Sequence, residues 1–372
     1  MKIAIVSSYG VYCGIARYVY FLAKNFLKLR QNVMIFSKTK SENEFYESDL
    51  KKIKLKNYRC WRKSSDTSLK KLVNTLLAFK PEIIHVQDIF RRVEGIKAIQ
   101  QIFPGRVVIT LHSVGTKKDQ EFIRETKNYI NHFIVHNTLS KKTLIRKSRI
   151  QENKISVIHH GSILHKQINK KEARSKINFP REGVLILTYG FFGPEKGIKE
   201  VMEVIAKLIK KFPSLYYLHL GRTRLKKIFP KASQKIKKMA QHPKFKGRVK
   251  LFWKFLSEKT LRIYLGAADL ILLFYPEKYP LLYSSGIAHQ LVGTRRPIIA
   301  TNVTSFSEFP VRTLHKIPYN KETLYREIQS LLENKSLQRR LTTRSLDYAK
   351  KTSWFNTAKI HLKVYRKTLN NI

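Results

Sequence analysis

The sequence predicts two consecutive doubly wound α/β domains, and three features carry that prediction. Short apolar runs of strand length alternate with helical periodicities along nearly the whole chain. One polar, patternless stretch at 162–182 interrupts the alternation. Loops bearing glycine or histidine recur just past the strand runs, where a doubly wound sheet places its ligands. A chain of 372 residues that is 43% hydrophobic can bury a core in each of two domains. The expected division is a first domain at 1–165, a linker at 166–182, a second domain at 183–345 and a terminal helical segment at 346–372.

Residues 3–6 read as a buried strand, followed by the loop 7–14 and a helix with Ile15, Val19, Leu22, Phe26 and Leu29 on one face. Residues 33–36 make the second strand. Gly10 and Gly14 allow the intervening loop to approach a ligand but do not form the dinucleotide G-x-G-x-x-G fingerprint, which argues against a nicotinamide enzyme. Leu69, Leu72, Val73, Leu76 and Leu77 line the next helix, and 83–86 form a strand ending at Gln87 and Asp88. A helix at 96–103 leads to the strand 107–111, which ends in His112 and Ser113. Residues 122–130 are read as helical and 133–135 as a strand. Ser140 is expected to cap a short basic helix, and 155–158 form the last strand, ending at His159, His160 and Gly161.

His112 and Asp88 fall just past strand ends. A neutral imidazole at that place can hydrogen-bond a substrate hydroxyl or phosphate, and both residues are assigned to the acceptor side of a site. His159 and His160 read as strand-end and hinge residues, since no further metal ligands stand at suitable spacing.

The alternation resumes with a strand at 184–189, the glycine-bearing loop 190–197 and a helix carrying Ile198, Val201, Met202, Ile205, Leu208 and Ile209. A strand at 215–220 ends at Gly221 and Arg222. Then come a very basic segment, the strand 249–253 and the helix 258–265. The strand 270–274, a short helix at 287–292 and a strand at 296–300 follow. Ser284, Ser285 and Gly286 stand where that short helix begins. A helix start leaves backbone N–H groups without intrahelical partners, so hydroxyls and a glycine there suit an anion such as a diphosphate. Lys196, in the loop opening the Ile198 helix, can meet a diphosphate oxygen, and Glu308 is placed to take a ribose hydroxyl. Gly190, Gly221 and Arg222 complete the expected donor side with Gly14.

The composition bears on partners. Lys and Arg number 74 against 25 Asp and Glu, a formal net charge of +49, which attracts nucleic acid, an anionic membrane face or a phosphorylated substrate. Residues 221–264 hold 15 Lys or Arg and the single acid Glu258. The stretches 51–63 and 141–149 are basic and free of acids. Lys141, Lys142, Arg146 and Lys147 accompany Leu144 and Ile145 in a small basic amphipathic pattern suited to docking on a membrane interface. Nucleic-acid binding is the weaker rival, because the basic residues do not alternate with stacking aromatics in a readable motif. Two cysteines fit a reducing cytoplasm. The opening residues give no signal-peptide pattern and no apolar run reaches ~18 residues, so the expected setting is the cytoplasmic face of a membrane.

Read together, the motifs resemble the retaining glycosyltransferases of GT-B architecture, the large group of bacterial mannosyl- and glucosyltransferases. The matching pieces are Gly14-Ile15-Ala16-Arg17, Ile84-His85-Val86-Gln87-Asp88, Thr110-Leu111-His112-Ser113 and Val157-Ile158-His159-His160-Gly161. They continue with Tyr189-Gly190-Phe191, Lys196-Gly197, Leu220-Gly221, Ala267-Ala268-Asp269, Ser285-Gly286 and Arg296-Pro297-Ile298-Ile299. The resemblance implies two Rossmann-like domains facing a cleft, with a C-terminal helix, from Ser353 and Trp354 through Tyr365, that returns to the first domain. It implies a nucleotide diphosphate sugar as donor, a lipid-linked or glycan acceptor, no cofactor and no catalytic metal. It also puts His112 near the reacting carbon and Lys196 on the leaving diphosphate. Pro280, Ala288 and Phe191 depart from the family pattern, standing where members commonly carry two glutamates and an arginine. An epimerase on the same fold and a non-catalytic basic protein that binds RNA or membrane are the other readings.

Overall fold

The computed structural model describes residues 1–11, 13–39, 55–61, 66–221, 230–245, 247–253, 256–276 and 283–370. Arg222, Pro280 and residues 51–54 and 62–63 of the basic stretch 51–63 lie outside them. The chain forms two compact units. The first comprises Met1–Gly161, Leu281–Gly286 and Thr352–Ile372, the second Ser162–Pro280 and Ile287–Lys351.

The first unit is built on β1 (Lys2–Ser7), β2 (Asn32–Lys38), β3 (Lys56–Trp61), β4 (Ile83–Gln87), β5 (Val107–Leu111), β6 (His132–Val135) and β7 (Ile155–Val157). They form one parallel sheet in the order β3-β2-β1-β4-β5-β6-β7. Side chains alternate across a strand, so a sheet covered on both faces needs apolar residues at every position. β1 and β5 meet this demand, being buried along almost their whole length. One face carries Ala4, Val6, Ile84, Val86, Val107 and Ile109, packed with Leu72, Leu76, Ile96, Ile99, Phe122 and Ile123 from three helices. Helices Gly14–Lys28 and Trp354–Leu369 pair with each other, with Phe26 and Tyr365 rings 5.8 Å apart and Phe21 stacked on Trp354 at 5.4 Å.

The second unit repeats the plan with β8 (Val184–Tyr189), β9 (Leu215–Leu220), β10 (Val249–Phe252), β11 (Leu270–Leu273), β12 (Ile298–Thr301) and β13 (His315–Ile317). Its order is β10-β9-β8-β11-β12-β13, again all parallel. Two apolar clusters lie in this unit. One joins Leu185, Leu187, Ile271 and Leu273 to Leu261, Leu265 and Leu291, the other joins Ile186, Leu270, Leu272 and Ile299 to Val201, Ile205, Leu324 and Ile328. Each unit thus holds one parallel α/β domain, as the sequence predicts.

Several sequence expectations need correction. The stretch 166–182 is no structureless linker, because Lys170–Lys176 is a helix. Lys170 and Arg174 both pair with Asp269, which also accepts the Leu185 N–H at 2.7 Å. The residue after Ala267-Ala268 therefore serves as a structural anchor. Asn137 caps helix Thr138–Ser148 by accepting the Ser140 N–H at 2.7 Å, so Ser140 is the residue held and not the cap. The helix expected at 122–130 runs instead from Lys117 to Thr126, started by a reciprocal Thr116–Asp119 capping box.

Candidate functional site

In the second unit, two glycines bring the ends of β8 and β9 close together, and a third lets the next loop approach the end of β11. A Cβ on Gly221 would lie 1.7 Å from the Gly190 carbonyl oxygen, and Gly190 itself has φ +138°. Only glycine fits that approach. Gly197 has φ +59°, and a Cβ there would meet the Phe274 carbonyl oxygen at 2.1 Å. It ends the short turn Pro194–Lys196 and starts helix Ile198–Lys211. Lys196 therefore stands directly before a fourteen-residue helix, its ammonium 3.9 Å from the centre of the Tyr275 ring. Beside the loop, Phe192 stacks on Trp253 at 3.7 Å and meets the buried His219 ring edge-on at 4.0 Å. Desolvation lowers the His219 pKa to about 3, so this ring adds no positive charge at neutral pH. Lys196 is the cation that the loop presents.

In the first unit, the carboxyl ends of β5, β6 and β7 bring histidines together. His112 follows β5, His136 follows β6 and His160 lies just past β7. One ring nitrogen from each falls within 4.8 Å of the other two. The three rings surround Tyr18, whose centroid lies 4.9, 5.3 and 5.2 Å from theirs. His112 Nε2 is 2.8 Å from Gln87 Oε1, and His112 Nδ1 is 3.1 Å from His136 Nε2. Beneath them runs a buried chain: Gln87 Nε2 lies 3.1 Å from His85 Nε2, and Tyr365 Oη lies 2.6 Å from His85 Nδ1. Burial, and then the neighbouring His136, hold the His112 pKa well below the usual imidazole value. Asp88 accepts the His112 backbone N–H at 2.9 Å, and burial raises its pKa to about 6. It therefore supports the loop through His112's backbone and not its ring.

Ser284 and Gly286 belong to this first unit as well. Asn137 Nδ2 donates to Ser284 Oγ at 3.1 Å, and a Cβ on Gly286 would sit 3.4 Å from the His160 ring. Ser284 and Ser285 are buried. Helix Gly286–Leu291 has only six residues, so the partial charge expected at its start is small. Gly14 opens helix Gly14–Lys28, and a Cβ there would meet nothing within 4 Å.

Two assignments do not survive. The Glu308 carboxylate is buried in the second unit, 3.2 Å from His289 Nε2, so it is engaged with the protein and not presented at the surface for a ribose hydroxyl. Leu144 is fully buried and Ile145 packs against the same apolar core, because helix Thr138–Ser148 turns that face inward. Neither is available to a membrane. Lys142, Arg146 and Lys147 do lie on the exposed side, and Lys141 pairs with Glu152 at 2.8 Å. His136 is not among the residues the sequence singles out, although it directly follows a strand end, the same signal that marks His112.

Comparison with known proteins adds to this geometry. The family model "Glycosyltransferase Family 4" matches residues 12–164, and "Glycosyl transferases group 1" matches 169–347. Among solved structures, a glycosyltransferase from Rickettsia africae superimposes with TM-score 0.79 at 16% identity, covering 100% of this chain and 99% of that one. Sucrose-phosphate synthase from Thermosynechococcus elongatus gives 0.80 at 17%, covering 100% of both chains. Anabaena HepE in complex with UDP-glucose gives 0.75 at 14%, also covering 100% of both. No curated protein sequence matches the chain.

Proposed function

The chain belongs to the GT-B glycosyltransferases, and from that premise we propose that it moves a sugar from a nucleotide diphosphate sugar to a hydroxyl of a lipid or glycan, with retention at the anomeric carbon. The observation that carries the donor half is the loop of the second unit. Gly190, Gly197 and Gly221 bring backbone segments closer than any side chain would permit, and Lys196 stands at the start of a long helix. Backbone N–H groups at a helix start and one lysine are what a diphosphate needs. HepE is solved with UDP-glucose, which favours a donor of the same class here.

In the reaction the bond between the anomeric carbon and the diphosphate oxygen breaks, the acceptor oxygen bonds to that carbon, and its hydroxyl proton passes to the departing diphosphate oxygen. Negative charge develops on the diphosphate, and Lys196 with the Ile198 helix start stabilises it before it forms fully. His112 is kept uncharged by burial and held at both ring nitrogens by Gln87 and His136. Its part is to hold a fixed, uncharged ring beside the substrate and not to carry a proton. Ala288 is buried in the core and Phe191 is apolar, so neither supplies the charge that many relatives place there. Lys196 and the backbone therefore carry more of the donor binding.

A thermal-shift panel of UDP-, GDP- and ADP-sugars tests the donor. A ligand at about 100 times its dissociation constant adds about 2.7 kcal/mol to stability, so one nucleotide series should raise the melting temperature by several degrees. NMR of the product would then read the anomeric configuration. If all three series leave the melting temperature unmoved, the donor reading fails.

A further inference from the structure

We infer that Tyr365, on the C-terminal helix, is a positioning residue: through His85 and Gln87 it fixes which nitrogen of the His112 ring carries the proton. Strand alternation places the parts. In β4, Ile84 and Val86 face the apolar cluster, so His85 and Gln87 share the opposite face. His361 and Tyr365, four apart on helix Trp354–Leu369, lie on one side of it. Their rings pack on His85, with centroids 5.7 and 5.6 Å away. All four side chains are buried. Apolar residues would suffice to hold a helix against a sheet, whereas each buried polar group must find a hydrogen-bond partner.

The protons can be placed one after another. Burial keeps the His85 and His112 rings uncharged, so each has one N–H and one lone pair. Burial likewise keeps the Tyr365 hydroxyl protonated. Among the described residues that hydroxyl has a single hydrogen-bond partner, His85 Nδ1 at 2.6 Å. It therefore donates there, because accepting would leave its own proton buried and unpaired. His85 then carries its proton on Nε2, 2.7 Å from Thr110 Oγ1 and 3.1 Å from the Gln87 amide. An NH₂ group would meet that N–H head-on. An amide has the same outline either way round and is oriented by its network, so the carbonyl oxygen of Gln87 turns toward His85. Its NH₂ then faces His112 Nε2 across 2.8 Å and donates to the lone pair. His112 is left with its proton on Nδ1, which points at His136 Nε2 at 3.1 Å. His136 Nδ1 in turn donates to the Ile158 carbonyl oxygen at 2.9 Å. In the opposite sense, Thr110 and Gln87 would both aim donors at one lone pair of His85, and the Tyr365 proton would have no acceptor.

The consequence for catalysis rests on the proposed place of His112 beside the substrate, but the proton positions do not. Long-range ¹H–¹⁵N correlation spectra of the full-length protein with labelled histidine read the tautomer of each ring. His85→Asn and His112→Asn assign the two signals by their loss. In the parent, His85 should be the Nε2–H form and His112 the Nδ1–H form. Tyr365→Phe removes only the hydroxyl, so both rings should move together toward a mixture of tautomers. His315, paired with Glu327 in the second unit, should stay as it is. An Nε2–H form of His112 in the parent overturns the proposal, and this spectrum decides even where the variant does not fold. A His112 signal that stays unchanged in folded Tyr365→Phe overturns it too. With the donor that thermal shift identifies, Tyr365→Phe should lower kcat by up to roughly 10²-fold, as small misplacements in a site do, and change the donor KM less. Parental kcat beside an altered His112 tautomer would refute the positioning role. If no nucleotide sugar binds, the donor reading fails and the spectra still decide the proton positions.

Discussion

Lys196 and His112 show how position decides what a polar side chain can do. Lys196 stands in a loop whose backbone Gly190, Gly197 and Gly221 bring into close contact with its neighbours, with its ammonium over the Tyr275 ring. A cation over an aromatic face is attracted by the ring quadrupole, which limits the volume the long side chain explores. Replacing it removes one preorganised charge. Lys196→Ala should therefore lower turnover by roughly 10²–10³-fold. The melting temperature should change little, because the loop conformation is set by Gly190, Gly197 and Gly221 and not by the lysine. Steady-state kinetics with the donor found by thermal shift reads the first effect and calorimetry the second. Parental turnover in the variant would make Lys196 a surface lysine and move the diphosphate elsewhere. His112, by contrast, is fixed through both ring nitrogens, and its contribution is direction.

At the scale of elements, the C-terminal helix Trp354–Leu369 is tied down by buried polar groups as well as by apolar packing. Tyr18 Oη lies 2.9 Å from His361 Nε2, whose Nδ1–H donates to the Thr357 carbonyl at 2.8 Å, and Tyr365 reaches His85. Burial depresses the His361 pKa to about 4 and holds His85 well below 6.5. Between pH 6.5 and about 4 the unfolded chain therefore protonates at these residues while the folded chain does not. Stability from neutral histidines is complete above the unfolded value and is lost as the pH falls, with a slope of about 1.4 kcal/mol per pH unit for each group. Asp88 acts in the opposite sense. Its pKa rises from 3.8 to about 6, so the folded state holds the extra proton in that window and offsets one histidine. His85, His361 and His132, the last lowered to about 4, outnumber it. Urea midpoints should fall between pH 7 and pH 5, and a midpoint that holds or rises would contradict this account.

The same network shows what a sequence can and cannot reveal. Strands buried on both faces, such as β1 and β5, are continuous apolar runs and stand out. β3 was hidden because its residues lie in a basic run and only Cys60 and Trp61 are fully buried. Helix Lys170–Lys176 looked like linker because its hold on the fold is ionic, through Asp269, and leaves no apolar period. His85 and His361 each sit among apolar neighbours in their elements, and nothing local indicates a hydrogen bond across 280 positions such as that of Tyr365 to His85. Gly190, Lys196 and Gly221 were legible as types in a loop. That Gly190 and Gly221 touch is a property of the folded sheet alone.

For the whole molecule, the net charge of +49 is the dominant long-range property, and no helix among the described residues is long and apolar enough to cross a membrane. A chain so basic should bind anionic surfaces by Coulomb attraction. Helix Thr138–Ser148 shows how, since Lys142, Arg146 and Lys147 face outward while Leu144 closes the core behind them. Each such residue near a charged bilayer contributes about 1 kcal/mol, and the effect decays within a Debye length of ~8 Å at physiological salt. With the apolar side chains turned inward, the binding has no insertion component and should be almost wholly salt-sensitive. Sedimentation with vesicles should show binding to anionic lipid that disappears as salt is raised, and none to neutral lipid. Replacing Lys142, Arg146 and Lys147 together by Glu should weaken the binding without lowering the melting temperature. Leu144→Ala should do the reverse, costing about 2–5 kcal/mol of stability through the cavity it leaves while the folded protein still sediments with the vesicles. Equal binding to neutral and anionic vesicles would overturn the electrostatic account. Tight RNA binding with no vesicle binding would instead make nucleic acid the partner of this charge.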